Sequence, residues 1–303
     1  HTGLAREVAR QSIVLLKNKD KLLPLKKDIR TLAVIGPNAD NVYNMLGDYT
    51  APQADGTVVT VLDGIRQKVS KETRVLYAKG CAVRDSSRTG FKDAIETARN
   101  ADAVVMVMGG SSARDFSSEY EETGAAKVTI NQISDMESGE GYDRATLHLM
   151  GRQLELLEEI SRLGKPVVLV LIKGRPLLME GAIQEAEAIV DAWYPGMQGG
   201  NAVADVLFGD YNPAGRLTLS VPRSVGQLPV YYNTRRKGNR SRYVEEPGTP
   251  RYPFGYGLSY TTFSYTDMKV QVTEGSDDCR VDVTVTIQNQ GTADGDEVAQ
   301  LYF

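Results

Sequence analysis

Residues 167–172 read VVLVLI, an unbroken apolar run in which four of the six residues are β-branched. Six residues are too few for a typical helix but suit a strand. A strand that lacks polar alternation is buried on both of its faces. Residues 103–108, AVVMVM, form a second run of this kind upstream. Two such strands, separated by a long intervening segment, favour a parallel sheet covered by helices.

The alternation of strand and helix patterns extends in both directions from this run. Short β-branched runs occupy residues 31–35, 74–77, 103–108, 167–172 and 188–193. Amphipathic helical patterns lie between them, at residues 61–69, 92–100, 151–163 and 179–186. We therefore predict an α/β fold with an open, mostly parallel sheet covered by helices on both faces, an α/β sandwich. Residues 4–17 also carry apolar side chains at helical spacing, which predicts one further helix.

Several predicted strands end at Gly or Pro, and these ends indicate where function should be sought. In open α/β sheets, ligands bind at the carboxyl ends of the strands. We therefore expect residues 36–38, 109–114 and 174–176 to share one functional edge. The segment from 109 to about 145 is rich in Ser, Glu, Gly and Thr. A loop longer than about 12–15 residues in a compact domain is usually functional or disordered.

The composition changes after residue 216. Residues 222–256 are dense in Pro, Gly, Tyr, Asn and Arg without helical periodicity, which predicts an extended linker. From residue 263 onward, apolar residues alternate with polar ones, as in an antiparallel β-sandwich. We predict an α/β sandwich over 1–221, a linker over 222–262 and the first strands of a β-sandwich over 263–303. Only about three of the roughly seven strands of such a sandwich fit there, so we expect it to be cut short or completed elsewhere.

Composition excludes several classes of function. The 35 basic and 39 acidic residues give a net charge of −4, too mild to predict nucleic acid or an anionic membrane as partner. No apolar run reaches the roughly 20 residues that a membrane span needs. Two cysteines exclude a disulfide scaffold, and we expect both to be buried thiols. With two histidines, no metal site and no cofactor are predicted.

A nucleotide-binding α/β domain is one hypothesis to weigh. Residues 35–38 form a turn after a strand, but neither GxGxxG nor GxxxxGK[ST] occurs anywhere in the chain. Pro37 also removes a backbone donor that a phosphate would need. A plain strand-to-helix turn is the favoured interpretation, and a thermal-shift screen with nucleotides is expected to show no shift.

The long loop contains Ser138-Gly139-Glu140-Gly141-Tyr142-Asp143-Arg144, which could carry chemistry. Glycines on both sides allow Glu140 to be presented at a loop tip, and Tyr142 could offer a flat face to a sugar ring. Glycosidases need two carboxyl groups, one on each side of the bond that is cleaved. A solvated acidic loop without a role explains the same pattern. Asp143 and Arg144 could form an ion pair that shapes the loop. The other acids of the loop are Asp115, Glu119, Glu121, Glu122, Asp135 and Glu137, and we expect most of them to face solvent.

Two further places could contact a ligand. Residues 44–49 combine small, acidic and aromatic side chains, and we select Asp48 and Tyr49 as candidate contacts to sugar hydroxyls. Arg114, close to a predicted strand end, is a third candidate. A surface turn explains the first pattern equally well, and a salt bridge within the loop explains the second.

Six stretches, in order along the chain, resemble glycoside hydrolase family 3. They lie within residues 4–18, 33–39, 166–176, 194–202, 209–217 (GDYNPAGRL) and 252–263 (YPFGYGLSYTTF). From the first to the last, they span residues 4–263. The resemblance implies a retaining, exo-acting β-glucosidase or β-xylosidase, in which an N-terminal (β/α)8 barrel precedes the α/β sandwich and a fibronectin type III-like domain often follows it.

The resemblance also implies roles for individual residues. The surroundings of Glu140 match those of the family's acid/base glutamate, with Tyr142 on the leaving-group side. Asp48 and Tyr49 lie in a segment similar to a second loop that sometimes approaches the sugar. Because nothing here resembles the barrel, the nucleophile is expected outside these 303 residues and the chain alone is expected to be inactive.

The implied partners are an oligosaccharide or aryl β-glycoside and the barrel that carries the nucleophile. Residues 109–115 resemble bacterial members, which implies a periplasmic or secreted enzyme. The presence of Glu140 argues against the β-N-acetylglucosaminidase branch, which uses a barrel histidine. The alternative is a non-catalytic module that binds carbohydrate or supports a separate barrel.

Overall fold

A computed structural model of the chain describes residues 1–113, 122, 135–139, 142–233, 243–274 and 279–302. Its centre is a six-stranded sheet in the order β1-β6-β5-β4-β2-β3. The strands are β1 Val14–Asn18, β2 Thr31–Ile35, β3 Arg74–Ala78, β4 Ala103–Gly109, β5 Val167–Ile172 and β6 Ala188–Trp193. Strands β2 to β6 run parallel, and β1 pairs antiparallel with β6 at one edge. The predicted fold class is confirmed.

Helices cover both faces of this sheet. They are α1 Thr2–Ser12, α2 Val61–Lys68, α3 Phe91–Arg99, α4 Gln153–Ser161, α5 Glu180–Glu185 and α6 Gly199–Leu207. Residues of α1, α2 and α6 share one apolar core, and residues of α3, α4 and α5 share the other. Successive residues of β4 alternate between the two cores, with Val105 in the first and Met106 in the second. This burial on both sides explains the continuous apolar runs of the central strands.

The helix predicted over residues 4–17 is wrong beyond Ser12. Residues 14–18 form β1, in which Leu15 packs into one core while Val14 and Leu16 pack into the other. A run of consecutive apolar residues satisfies a two-faced sheet better than a helix with one buried side. Leu4 and Val8 keep their helical spacing but lie on the exposed side of α1.

Residues beyond 216 pack back onto the edge of the sheet. Val221 and Tyr252 pair through backbone hydrogen bonds, and the Tyr256 hydroxyl donates to the Leu16 carbonyl at 3.2 Å. A separate antiparallel pair follows, β7 Phe263–Glu274 and β8 Cys279–Asn289. The expectation for the thiols is half right. Cys81 is buried, and burial raises its pKa to about 12, whereas Cys279 is exposed at the start of β8.

Among the helices of the described residues, none has the length and apolar character that crossing a membrane requires.

Candidate active site

The carboxyl ends of β2, β4 and β5 are tied together by one buried side chain. Asn38, two residues beyond Gly36, is fully buried. Its Nδ2 donates to the carbonyls of Gly110 at 3.0 Å and Ile172 at 3.3 Å. Its Oδ1 accepts a hydrogen bond from Asn44 Nδ2 at 2.7 Å. These bonds satisfy polar groups that burial would otherwise leave unpaired, so the edge is rigid where function was expected.

Ser111 joins the long loop's beginning to its far end. The Ser111 hydroxyl donates to Asn44 Oδ1 at 2.6 Å. Its carbonyl accepts backbone hydrogen bonds from Glu137 at 2.8 Å and Ser138 at 3.3 Å. Residues more than twenty positions apart therefore meet at the carboxyl end of β4.

A buried ion pair brackets residues 138–143. Arg144 Nη1 lies 2.6 Å from Glu137 Oε2, and both side chains are almost fully buried. A second nitrogen of Arg144 donates to the His148 carbonyl. Glu137 is therefore an exception to the solvent exposure expected for most acids of the loop, and the ion pair considered for Arg144 forms with Glu137 rather than with Asp143. Glu137 is buried next to Gly110, and residue composition does not reveal such burial.

The side chain of Asp135 accepts hydrogen bonds from the backbone and does not simply face solvent. Its Oδ1 accepts from the backbone nitrogens of Val83 at 3.0 Å and Arg84 at 3.3 Å. Arg84 in turn donates to the Met136 carbonyl at 2.7 Å. These bonds fasten the returning end of the long loop to residues 83–84.

Of the five predicted site residues, Glu140 and Arg114 lie outside the described residues. Gly139 and Tyr142, which flank Glu140 and Gly141 in sequence, pair through a hydrogen bond from Tyr142 N to Gly139 O of 3.2 Å. Gly139 has φ +117°, and a Cβ there would lie 2.6 Å from Met136 Cε. Only glycine fits this position without strain.

Asp48 lies beside the same turn. A Cβ on Gly139 would be 3.0 Å from Asp48 Oδ2, so this carboxylate and Gly139 are neighbours. Asp48 Oδ1 accepts the backbone N–H of Tyr49 at 2.8 Å, and the Tyr49 side chain is 74% exposed. The edge thus presents a hydrogen-bonding carboxylate and an exposed ring, both suited to a polyhydroxylated ligand.

Sequence reasoning missed several residues that build this edge. Gln153 is fully buried on α4. Its Oε1 accepts a hydrogen bond from the backbone N–H of Gly109 at 2.8 Å, and its Nε2 donates to the Gly109 carbonyl at 2.9 Å. Tyr194, directly after β6, places its hydroxyl 3.4 Å from Ser138 Oγ. The signal for Tyr194 was available, since it follows a strand end. Gln153 has no such signal, because it is the first residue of an ordinary amphipathic helix.

Replacing Glu137 with Gln tests the buried ion pair. The variant keeps the shape but leaves the guanidinium of Arg144 buried without a counter-charge, so we expect a loss of about 3 kcal/mol in the free energy of unfolding. The matched control is Glu155→Gln, whose exposed pairs with Arg88 and Arg152 should contribute under about 1 kcal/mol. Urea denaturation of both variants measures the difference, and equal losses would contradict the interpretation.

Comparison with known proteins shows the family. Residues 13–260 match the model of the glycosyl hydrolase family 3 C-terminal domain. A β-xylosidase of Formosa agariphila is 42% identical over the whole chain, and a periplasmic β-glucosidase of Salmonella typhimurium is 39% identical over the whole chain. The chain spans 40% of the length of each of these curated relatives.

Solved structures give the same result. A β-glucosidase of Erythrobacter marinus superimposes with a TM-score of 0.80 at 37% identity, over 96% of this chain and 39% of that one. A β-glucosidase of Listeria innocua, solved with isofagomine, gives 0.78 at 30% identity, over 97% of this chain and 38% of that one. Sequence and structure agree, and the chain belongs to the C-terminal domain family of glycosyl hydrolase family 3.

Proposed function

We propose that this chain supplies the general acid/base, Glu140, to a retaining, exo-acting β-glycosidase that removes terminal non-reducing sugars. The observation that carries the proposal is the anchoring of the residues on either side of Glu140. Gly139 pairs with Tyr142 and lies beside Asp48, while the Glu137–Arg144 ion pair fastens the surrounding segment to the carboxyl edge. A side chain that must meet a reacting bond needs such a rigid base.

The second carboxylate comes from the remainder of the protein, which we expect to be an N-terminal barrel. Its aspartate attacks the anomeric carbon while Glu140 protonates the departing oxygen; Glu140 then deprotonates the water that releases the sugar. In retaining enzymes the two carboxyl groups lie about 5–5.5 Å apart. A carboxyl group that donates a proton near neutral pH needs a raised pKa, which burial or a nearby anionic nucleophile provides.

The substrate is a β-glucoside or β-xyloside, either an oligosaccharide or an aryl glycoside. Relatives named β-xylosidase and β-glucosidase match the chain at nearly the same identity, which supports both sugars. Tyr142 supplies a contact on the leaving-group side, Asp48 and Tyr49 supply contacts to sugar hydroxyls, and Arg114 is proposed as a fourth contact. A periplasmic or secreted location is supported by the periplasmic β-glucosidase among the relatives.

The test compares the full-length protein with this 303-residue chain on 4-nitrophenyl β-glucoside and β-xyloside. We expect hydrolysis by the full-length protein, with the β-anomer as the first product by proton NMR. The chain alone should release no nitrophenol, because one carboxylate cannot perform both steps. Turnover by the chain alone would contradict this division of labour. Sugar binding by the full-length protein without any hydrolysis would favour a non-catalytic module.

A further inference from the structure

A charged pair with no role in the proposed chemistry is buried behind the candidate site. Lys173, the first residue after β5, is 1% exposed, and its Nζ lies 2.6 Å from Oδ2 of the fully buried Asp191. Neither atom makes a well-aligned hydrogen bond among the described residues. The ammonium group also lies 3.9 Å from the centroid of the Trp193 ring. A buried pair with incomplete hydrogen bonding is weak evidence for stability, so its presence calls for another explanation.

The backbone beside this pair is strained. Trp193 has φ +55°, in the left-handed region that a bulky residue rarely adopts. The pairing of β5 with β6 shifts at this point, so that Ile172 lies opposite Trp193. Asp191 Oδ1 accepts a hydrogen bond from the backbone N–H of Trp193 at 3.3 Å. The backbone N–H of Lys173 donates to the Trp193 carbonyl at 3.1 Å. Such strain persists only where the surroundings enforce it, and it concentrates at functional sites.

Tyr194 directly follows Trp193, so the left-handed conformation of Trp193 sets the position of Tyr194. Tyr194 lies between three segments of the candidate site. A Cβ on Gly47 would lie 2.9 Å from the Tyr194 ring, and one on Gly174 would lie 2.5 Å from it. The Tyr194 hydroxyl is 3.4 Å from Ser138 Oγ. The ring therefore touches the turn that carries Asp48, the loop after β5 and the segment that leads to Gly139.

We propose that Lys173 is a positioning residue for the candidate active site. Its ammonium, held between Asp191 and the Trp193 ring, keeps Trp193 in the left-handed conformation. That conformation seats Tyr194 against the Gly47 turn and Ser138. The effect on turnover rests on the function proposed above, whereas the effect on Trp193 does not. Because a misplaced catalytic group slows chemistry more than it weakens substrate binding, kcat should fall while KM changes little.

The first test uses Trp193, the chain's single tryptophan, as its own reporter. Lys173→Met removes the cation, and Lys173→Met with Asp191→Asn removes both charges while keeping both shapes. In both variants, acrylamide quenching of Trp193 fluorescence should rise at least about two-fold, because relief of the strain frees the ring. Lys68→Met is the control, since it breaks a different ion pair and should lower the melting temperature without changing the quenching.

The second test measures kcat and KM of the same variants in the full-length protein. We expect kcat to fall about 10–100-fold in the charge-neutral double variant, even where its melting temperature is close to that of the wild type. A lower melting temperature with unchanged quenching and unchanged kcat would mean that the pair is structural only. If the full-length wild type hydrolyses no glycoside, the proposed function fails, and unchanged quenching would still overturn the positioning role.

A double-mutant cycle tests whether Lys173 acts through Tyr194. Tyr194→Leu should lower kcat on its own. Adding Lys173→Met to that variant should cause little further loss, because the element that Lys173 positions is already gone. Two fully additive losses would show that Lys173 acts by another route and would overturn this part of the proposal.

Discussion

Glu140→Gln in the full-length protein is expected to lower kcat about 10³-fold on a disaccharide, within the usual range for loss of a general acid. For a 2,4-dinitrophenyl glycoside, kcat/KM, which reports the first step, should fall much less. Its leaving group departs as a stable anion without a proton, so the first step no longer needs the acid. Deglycosylation still needs the base, and a slow second step should therefore appear as a burst of dinitrophenol followed by a low steady rate.

Two further measurements make this prediction specific. Azide attacks a glycosyl-enzyme without a general base, so it should restore turnover of the activated substrate and yield a β-glycosyl azide. Glu122→Gln makes the same substitution at an exposed acid of the same loop and should leave both activities unchanged. An equal loss of kcat/KM on the disaccharide and the dinitrophenyl glycoside would count against Glu140 as the acid.

The fold was largely predictable because its main signal is local. Each central strand is buried on both faces, which favours apolar residues at every position, as in the run 167–172. The same reasoning failed at residues 13–17, where consecutive apolar residues match a helix and a buried strand equally well. The deciding fact is the antiparallel pairing of β1 with β6, between residues more than 150 positions apart.

The candidate site was predictable only in part, because its supports depend on distant partners. The sequence predicted that the strand ends share one edge, and the described residues Ser138 and Gly139 of the Gly-rich segment lie beside Ser111 and Asp48 there. The burial of Glu137 and Lys173 depends on Arg144 and Asp191, and no pattern in the sequence marks those pairings. Charged residues are rarely buried, so a sequence-based prediction places them in solvent, and buried ion pairs near a site are missed systematically.

The largest effect on stability is expected at Asp205, a fully buried carboxylate on α6. Arg6, Arg10 and Lys68 all reach it, at distances between 2.5 and 2.7 Å. Burial on its own raises the pKa of Asp205, but the hydrogen bonds from Arg6, Lys68 and Arg10 outweigh it and bring the pKa down to about 2. One carboxylate therefore fastens α1 and α2 to α6.

The lowered pKa fixes the sign of the pH dependence. Asp205 binds its proton more weakly in the folded state than in the unfolded state, so its contribution to stability is complete above about pH 4. That contribution disappears as the pH falls through about 2, and it amounts to about 2 kcal/mol. Unfolding free energies of the wild type, measured between pH 7 and pH 2, should decrease over this interval.

Asp205→Asn should reduce the free energy of unfolding at pH 7 by about 5 kcal/mol. It replaces the fully buried carboxylate by a neutral amide, so Arg6, Arg10 and Lys68 lose their shared counter-charge. Among the described residues, Arg10 keeps a second counter-charge in Glu7 and Lys68 keeps one in Asp210. The variant should also lose the part of the decrease between pH 4 and pH 2 that Asp205 contributes, while the part from Asp210, whose pKa is also lowered, remains. Asp210→Asn is the matched control, because Asp210 pairs with Lys27 and Lys68 but keeps 33% of its side chain exposed, so we expect a loss of about 1 kcal/mol. Equal losses in the two variants would show that exposed charge, and not the buried carboxylate, holds these helices together.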